Sequence, residues 1–299
     1  MNGLKLRGVI VPLITPFHKG GSVNVTVLKE LVDFLIDAGV HGLFAAGTTG
    51  EGPLLTPVER RMVAETVVRQ AGGRVPVIIQ AGTPVTAESI EQVRRAQVCG
   101  ADAAALLCPY YYRLDDEALI EHFCAVAESV PDYPLYLYNI PPLTGNNISP
   151  AVTAAVAQRC PNVVGEKDSS GDLNQVIAKL HTRNGDFEVL IGSDGLILSS
   201  LVAGVQGSVS GNANVFPELF VTLFNAFWQG DLAAARAAQE KIHSVRSVLK
   251  DGADLSLFKG LLAYRGMPAG PVRPPLRTAG PEMIAECHTK LIAQGIDLA

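Results

Sequence analysis

The sequence predicts a closed (β/α)8 barrel, a TIM barrel, with a C-terminal helical extension. Three observations predict it. Short runs rich in Val, Ile, Leu and Ala alternate with longer amphipathic segments, giving eight strand-then-helix units before residue 230. Strands that read as apolar on both faces and are joined by helices form an all-parallel sheet, and eight such units favour closure over an open doubly wound sheet. The phosphate fingerprint of an open nucleotide-binding sheet is also missing. Gly47-Thr48-Thr49-Gly50-Glu51-Gly52 is not G-x-G-x-x-G and lacks a Gly-Lys-Ser/Thr end.

The elements follow in order. Residues 8–14 read as the first strand, and 24–38 as a helix capped by Asn24. Residues 42–46 form the second strand and lead into the Gly47–Gly52 loop; Thr56-Pro57 then opens a helix to Ala71, with proline at its first position. Strands over 75–80, 101–107 and 135–140 alternate with helices over 86–99, 115–129 and 149–158. The sixth strand runs from Asn162 to its end at Lys167 and precedes a helix over 172–181. Strands at 187–191 and 205–209 flank a helix over 195–203, and a helix over 216–228 closes the barrel. Residues 1–230 are thus read as the barrel, and 231–299 as helices packed on it rather than an independent domain. The extension is expected to hold helices over 231–250, 254–265 and 281–294, the last two linked by Gly270-Pro271-Val272-Arg273-Pro274-Pro275-Leu276.

Composition excludes several functions. The chain has 299 residues, 48% of them hydrophobic, and a net charge of −5, so no nucleic-acid footprint is expected. Met1-Asn2-Gly3-Leu4-Lys5-Leu6-Arg7 lacks a basic segment followed by a long apolar run, so no signal peptide is expected. The apolar runs break before about 18 residues, so no membrane span is expected either. Five widely spaced cysteines form no C-x-x-C pair, and six scattered histidines form no metal-binding pattern. The expectation is a reduced, cytoplasmic protein without a metal, in which Cys108 is a small buried hydrophobe rather than a nucleophile.

Barrel enzymes carry their chemistry at the C-terminal strand ends, and the unusual residues of this chain fall there. Thr48 and Thr49 follow strand two, Tyr110 and Tyr111 follow strand four, Tyr138 ends strand five and Lys167 ends strand six. Gly192-Ser193-Asp194 follows strand seven, and Val209 closes strand eight. Alternation sets Val163, Gly165 and Lys167 on one face of their strand, with Val164 and Glu166 on the other. Taken alone, each feature has an ordinary explanation: a lysine snorkels, tandem threonines cap a turn, a tyrosine run packs. Their convergence favours chemistry. A lysine at the mouth of an apolar core loses hydration, which favours the neutral amine that condenses with a ketone. Hydroxyls at Thr48, Tyr111 and Tyr138 can relay the protons that imine formation and C–C bond reversal require.

Gly47-Thr48-Thr49-Gly50-Glu51, Pro109-Tyr110-Tyr111, Tyr138-Asn139-Ile140-Pro141 and Lys167 resemble, in order and strand position, the dihydrodipicolinate synthase/N-acetylneuraminate lyase family. The resemblance spans nearly the whole chain, including residues 270–276. It implies a class I pyruvate-dependent aldolase or lyase, commonly a homotetramer built as a dimer of dimers. It also implies that Lys167 forms the imine with pyruvate and that Tyr138 is the acid/base. Thr48 and Tyr111 would relay protons, Tyr111 across a subunit interface, while Thr48 and Thr49 hold the pyruvate carboxylate and Val209 lines the pocket. No cofactor is implied, since the imine on Lys167 is itself the electron sink.

Two positions narrow the partner aldehyde. The dihydrodipicolinate synthases of the family carry an arginine where this sequence has Leu143, and its fork grips the aldehyde's carboxylate in a way leucine cannot. The sialic acid lyases carry an acidic residue where this chain has Gly195. The leading expectation is reversible aldol cleavage of a 2-keto-3-deoxy sugar acid to pyruvate and an aldehyde. The alternatives are dihydrodipicolinate synthase with another residue in place of the arginine, a sugar-acid dehydratase, and a non-catalytic keto-acid-binding homologue. Glu166 departs from the apolar residue usual before the lysine, and alternation turns it away from the barrel interior.

Overall fold

The computed structural model describes residues 4–252 and 254–298. Met1, Asn2 and Gly3, where the expectation of no signal peptide begins, lie outside the described residues. Strands β1 (Gly8–Pro12), β2 (Gly42–Ala45), β3 (Val77–Gln80), β4 (Ala103–Leu107), β5 (Leu135–Asn139), β6 (Val163–Asp168), β7 (Glu188–Ile191) and β8 (Gly207–Val209) close a barrel in sequence order. Every residue of β1 to β5 and of β8 is buried, as parallel strands covered on both faces must be.

The helices are α1 (Val25–Asp37), α2 (Pro57–Ala71), α3 (Thr86–Val98), α4 (Asp116–Glu128), α5 (Pro141–Thr144), α6 (Pro150–Arg159), α7 (Leu173–Leu180), α8 (Ile197–Ala203), α9 (Pro217–Trp228), α10 (Leu232–Val248), α11 (Leu255–Leu262) and α12 (Pro281–Ala293). The expected Asn24 cap forms, and further caps appear beside it. Asn24 accepts from the Val27 N–H, Asp115 from Ala118 and Asp231 from Ala234, and Thr56 and Glu59 make a reciprocal capping box.

Several boundaries differ from expectation, each for a local reason. The third strand starts at Val77 rather than 75, because Pro76 has no N–H to give the ladder. The first strand stops at Pro12 rather than 14. There Asn214 takes over, accepting from the Ile14 N–H at 3.1 Å and donating to the Pro12 carbonyl at 2.9 Å. The eighth strand starts at Gly207 rather than 205, because the Val205 N–H closes α8 on the Ser200 carbonyl. Residues 194–196 form a 3-10 turn ahead of α8 instead of its first turn. The four-residue α5 has no counterpart in the sequence reading.

Two compact units can be distinguished, residues 1–7 with 76–209 and residues 8–75 with 210–299. In the first, β3 to β8 carry α3 to α8. In the second, β1 and β2 share a unit with α1, α2 and the C-terminal helices, and α10 packs on α9.

One buried titratable group of the first unit gives a pH prediction. His122, on the inner face of α4, meets Thr86 Oγ1 through Nδ1 at 2.9 Å, and burial pushes its pKa down to about 4. Between the ordinary histidine value and that one, the unfolded chain binds a proton the native chain refuses, so stability falls as pH drops through this window. The loss is about 3 kcal/mol. Urea unfolding at pH 7 and at pH 4.5 should show it. His122→Met should flatten the difference, and an equal slope in both proteins would exclude His122 as the source.

Candidate active site

Lys167 stands near the end of β6, opposite Tyr138 on β5 and Leu190 on β7. It is 6% exposed, and its Nζ lies 4.0 Å from the centroid of the Tyr138 ring, itself buried. Two glycines clear the way. A Cβ at Gly165 would fall 2.5 Å from the Tyr136 ring and 2.6 Å from the Glu188 carbonyl oxygen. One at Gly192 would fall 3.1 Å from Lys167 Cε and well inside contact with Ser169 Oγ, so Gly192, just past β7, lies directly against the lysine chain. Val209 is buried at the end of β8.

The faces alternate as expected. Glu166 and Asp168 turn away from the Lys167 face into a wholly buried layer beneath α6 and α7. There Lys179 of α7 sets its Nζ 2.5 Å from Glu166 Oε1 and 2.5 Å from Asp168 Oδ2, with every side chain of the trio at 0% exposure. Thr153 of α6 donates to Glu166 Oε2 at 2.6 Å, and Asn139 and Gln175 donate to Asp168 Oδ2. Burial and the neighbouring Asp168 push Glu166 up to about 7 against the pull of Lys179. Burial also acts on Asp168, but Lys179 and Ser170 outweigh it and hold that carboxyl below its ordinary value. The two carboxylates keep the Lys179 ammonium protonated despite its burial. Burial, with the Glu166 charge adding to it, pushes the Cys108 thiol to about 12, leaving it the inert hydrophobe the sequence suggests.

The tyrosine loop is placed differently. Tyr111 is 86% exposed with φ at 83° and meets the Tyr112 ring edge-on at 5.0 Å, so it stands at the surface while Tyr138 and Lys167 are buried. Asn146, which the sequence reading missed, anchors this loop by donating to the carbonyls of Pro109 and Tyr112 and accepting from the Leu114 N–H. Its position directly after Gly145 in a Gly-Asn-Asn run was the available signal. Leu143 lies on α5 and is 64% exposed. A Cβ at Gly145 would meet the Arg113 guanidinium carbon at 3.2 Å, which puts an arginine beside the short helix carrying Leu143.

In the second unit, Thr48 and Thr49 are half-buried on a tight loop, where the Glu51 N–H bonds the Thr48 carbonyl and the Gly52 N–H bonds that of Gly47. Ala46 and Glu51 both hold positive φ, at 56° and 55°. Glu51 is anchored by Lys259 of α11 at 2.5 Å and by the Arg273 N–H at 2.7 Å. Arg273 in turn forks onto Glu59 at 2.7 Å through each nitrogen, and its hydrogen bonds hold the Glu59 carboxyl at about 2.

Among the described residues no cluster of His, Cys, Asp and Glu is arranged to hold a metal ion, and no helix is long and apolar enough to cross a membrane. A buried amine against a phenol can combine nucleophilic addition with proton transfer.

A closed parallel barrel with a buried lysine at a strand end defines the class, a (β/α)8-barrel lyase. The chain belongs to the dihydrodipicolinate synthetase family, whose model matches residues 5–294. It is 39% identical over 280 residues to a 4-hydroxy-tetrahydrodipicolinate synthase of Methanopyrus kandleri, covering 93% of this chain and 92% of that one. It is 34% identical over 297 residues to a protein of Escherichia coli K12 named a probable 2-dehydro-3-deoxy-D-pentonate aldolase, covering 98% of each. A solved E. coli K12 prophage protein of the dihydrodipicolinic acid synthase family, in complex with pyruvate, superposes with a TM-score of 0.91 at 31% identity, over 98% of this chain and 99% of that one.

Proposed function

We propose that the chain catalyses reversible aldol cleavage of a 2-keto-3-deoxy sugar acid to pyruvate and an aldehyde. The observation that carries this reading is the Lys167 amine held 4.0 Å from the buried Tyr138 ring, with Leu143 where an arginine would mark a carboxylated aldehyde. The Lys167 amine adds to the C2 ketone, and loss of water leaves an iminium. Tyr138 takes the proton of the C4 hydroxyl, the C3–C4 bond breaks, and its electron pair moves into the iminium to give an enamine as the aldehyde leaves. The enamine carbon is protonated, and water releases pyruvate. The imine is the electron sink, so no metal or organic cofactor takes part.

Thr48 and Tyr111 relay protons in this reading, Thr48 and Thr49 hold the keto-acid carboxylate, and Val209 lines the pocket. The exposure of Tyr111 supports its working against a second copy, in a cytoplasmic homotetramer built as a dimer of dimers. Borohydride added with pyruvate should fix a reduced three-carbon adduct on Lys167. Pyruvate release should then be assayed over a panel of keto-deoxy acids, with condensation onto aspartate semialdehyde as control. A missing adduct would overturn the imine.

One observation favours a second reading. The Arg113 guanidinium beside Gly145 offers a fork to an aldehyde carboxylate that Leu143 cannot bind, which supports 4-hydroxy-tetrahydrodipicolinate synthase activity. Under the leading reading, Leu143→Arg improves turnover of carboxylated aldehydes about tenfold, the scale of one charge-assisted hydrogen bond, and Arg113→Ala changes nothing. Under the second, Arg113→Ala lowers aspartate-semialdehyde turnover by about that factor. Steady-state rates with each aldehyde decide between them.

A further inference from the structure

The trio behind β6 is an unusual way to fill a helix–strand layer. Two carboxylates and one ammonium at 0% exposure cost desolvation that an apolar filling would avoid. What the ions add is direction. Glu166 and Asp168 are the immediate neighbours of Lys167 and share the face opposite to it. One ammonium, Lys179 Nζ, bridges both at 2.5 Å, which fixes the spacing of residues 166 and 168 and the rotation of the strand between them. Each carboxylate is further tied, Glu166 to Thr153 on α6, Asp168 to Asn139 on β5 and to Gln175 on α7. The next peptides are held too, since the Ser169 N–H bonds the Asn139 carbonyl at 2.8 Å and the Gly192 N–H bonds that of Asp168 at 2.7 Å.

A slip of one residue would turn Lys167 outward and drive both carboxylates into the barrel without their ammonium.

We propose that Glu166 and Lys179 form a register lock that positions Lys167, so that the rate at which its amine reaches the keto acid depends on this buried ion pair. Both are positioning residues, since neither side chain lies on the face that carries Lys167. The inference rests on the imine reading and deepens it.

The test measures borohydride trapping of pyruvate under single-turnover conditions, with steady-state cleavage and thermal melting alongside. Glu166→Gln keeps size and a partner for Thr153 while removing one of the two charges that hold Lys179. Glu166→Leu exchanges the carboxylate for an apolar group and leaves Lys179 paired one to one with Asp168, so that no buried charge is stranded and one variant of the two stays folded. The lock predicts that each folded variant traps pyruvate about tenfold more slowly, with kcat falling in parallel and KM for the keto acid within about twofold, the pattern of a lost step-specific interaction. Trapping at the unsubstituted rate in a folded variant overturns the lock, as does a fall no larger than the loss of folded protein measured by melting. If the unsubstituted protein itself yields no adduct, the imine reading fails and takes the lock with it. An adduct formed equally fast with and without the pair removes the lock alone.

Discussion

Lys167→Ala is expected to abolish both turnover and adduct formation while leaving the fold in place. Loss of a covalent nucleophile costs on the order of 10^4 to 10^6 in kcat, because no neighbouring group can supply the electron sink. The ion pairs that tie β6 to α7 run from Glu166 and Asp168 to Lys179, and the truncation leaves all three in place. Three measurements on one preparation check it: pyruvate release from the best substrate, the mass after borohydride with pyruvate, and the melting temperature. A folded variant that retains more than about a hundredth of the activity refutes the assignment, since general acid–base groups alone supply far less than the lost factor. Activity retained together with an adduct would move the imine to another lysine.

The barrel could be read from the sequence because its strands and helices obey different periods and its helices are marked by caps. Asn24 caps its helix and Pro57 opens the next, both as the sequence places them. Asp115 and Asp231, with which the sequence begins two further helices, prove to be caps one residue ahead of them. What escaped was set by contacts distant in sequence. The early end of β1 depends on Asn214, some two hundred positions away, and α5 is too short for any period to declare it. At the site, alternation alone orients Lys167 inward and Glu166 outward. The partner of Glu166 was hidden because Lys179, thirteen positions on, looks like any polar residue of a short helix. Arg113 was hidden in the same way, since only the fold brings it to Gly145. Long-range ion pairs leave no local signature, and in this chain they sit behind the residues the sequence did single out.

The second such pair yields the largest stability effect expected. Lys259→Met leaves Glu51, 2% exposed, without its ammonium. Removing one partner of a buried pair costs about 3–5 kcal/mol, because the remaining charge stays out of water. Methionine fills nearly the same volume and can rest on the Phe17 ring, over which Lys259 Nζ lies at 4.2 Å, so packing contributes little to the loss. For a chain of this length the melting temperature should drop by about 5–8 °C. Glu51→Gln/Lys259→Met should recover much of that drop, since the amide can still accept from the Arg273 N–H without an unpaired charge. The functional consequence falls on the Thr48–Thr49 loop. Glu51 closes it at a positive φ that a glutamate adopts only under constraint. Once released, the backbone can relax and the threonine hydroxyls lose their fixed aim, so KM for the keto acid should rise more than kcat falls in the double variant. That is the reverse of the split expected from the pair behind Lys167. If the double variant instead melts as low as the single one, the drop comes from packing around Phe17 and not from the stranded carboxylate.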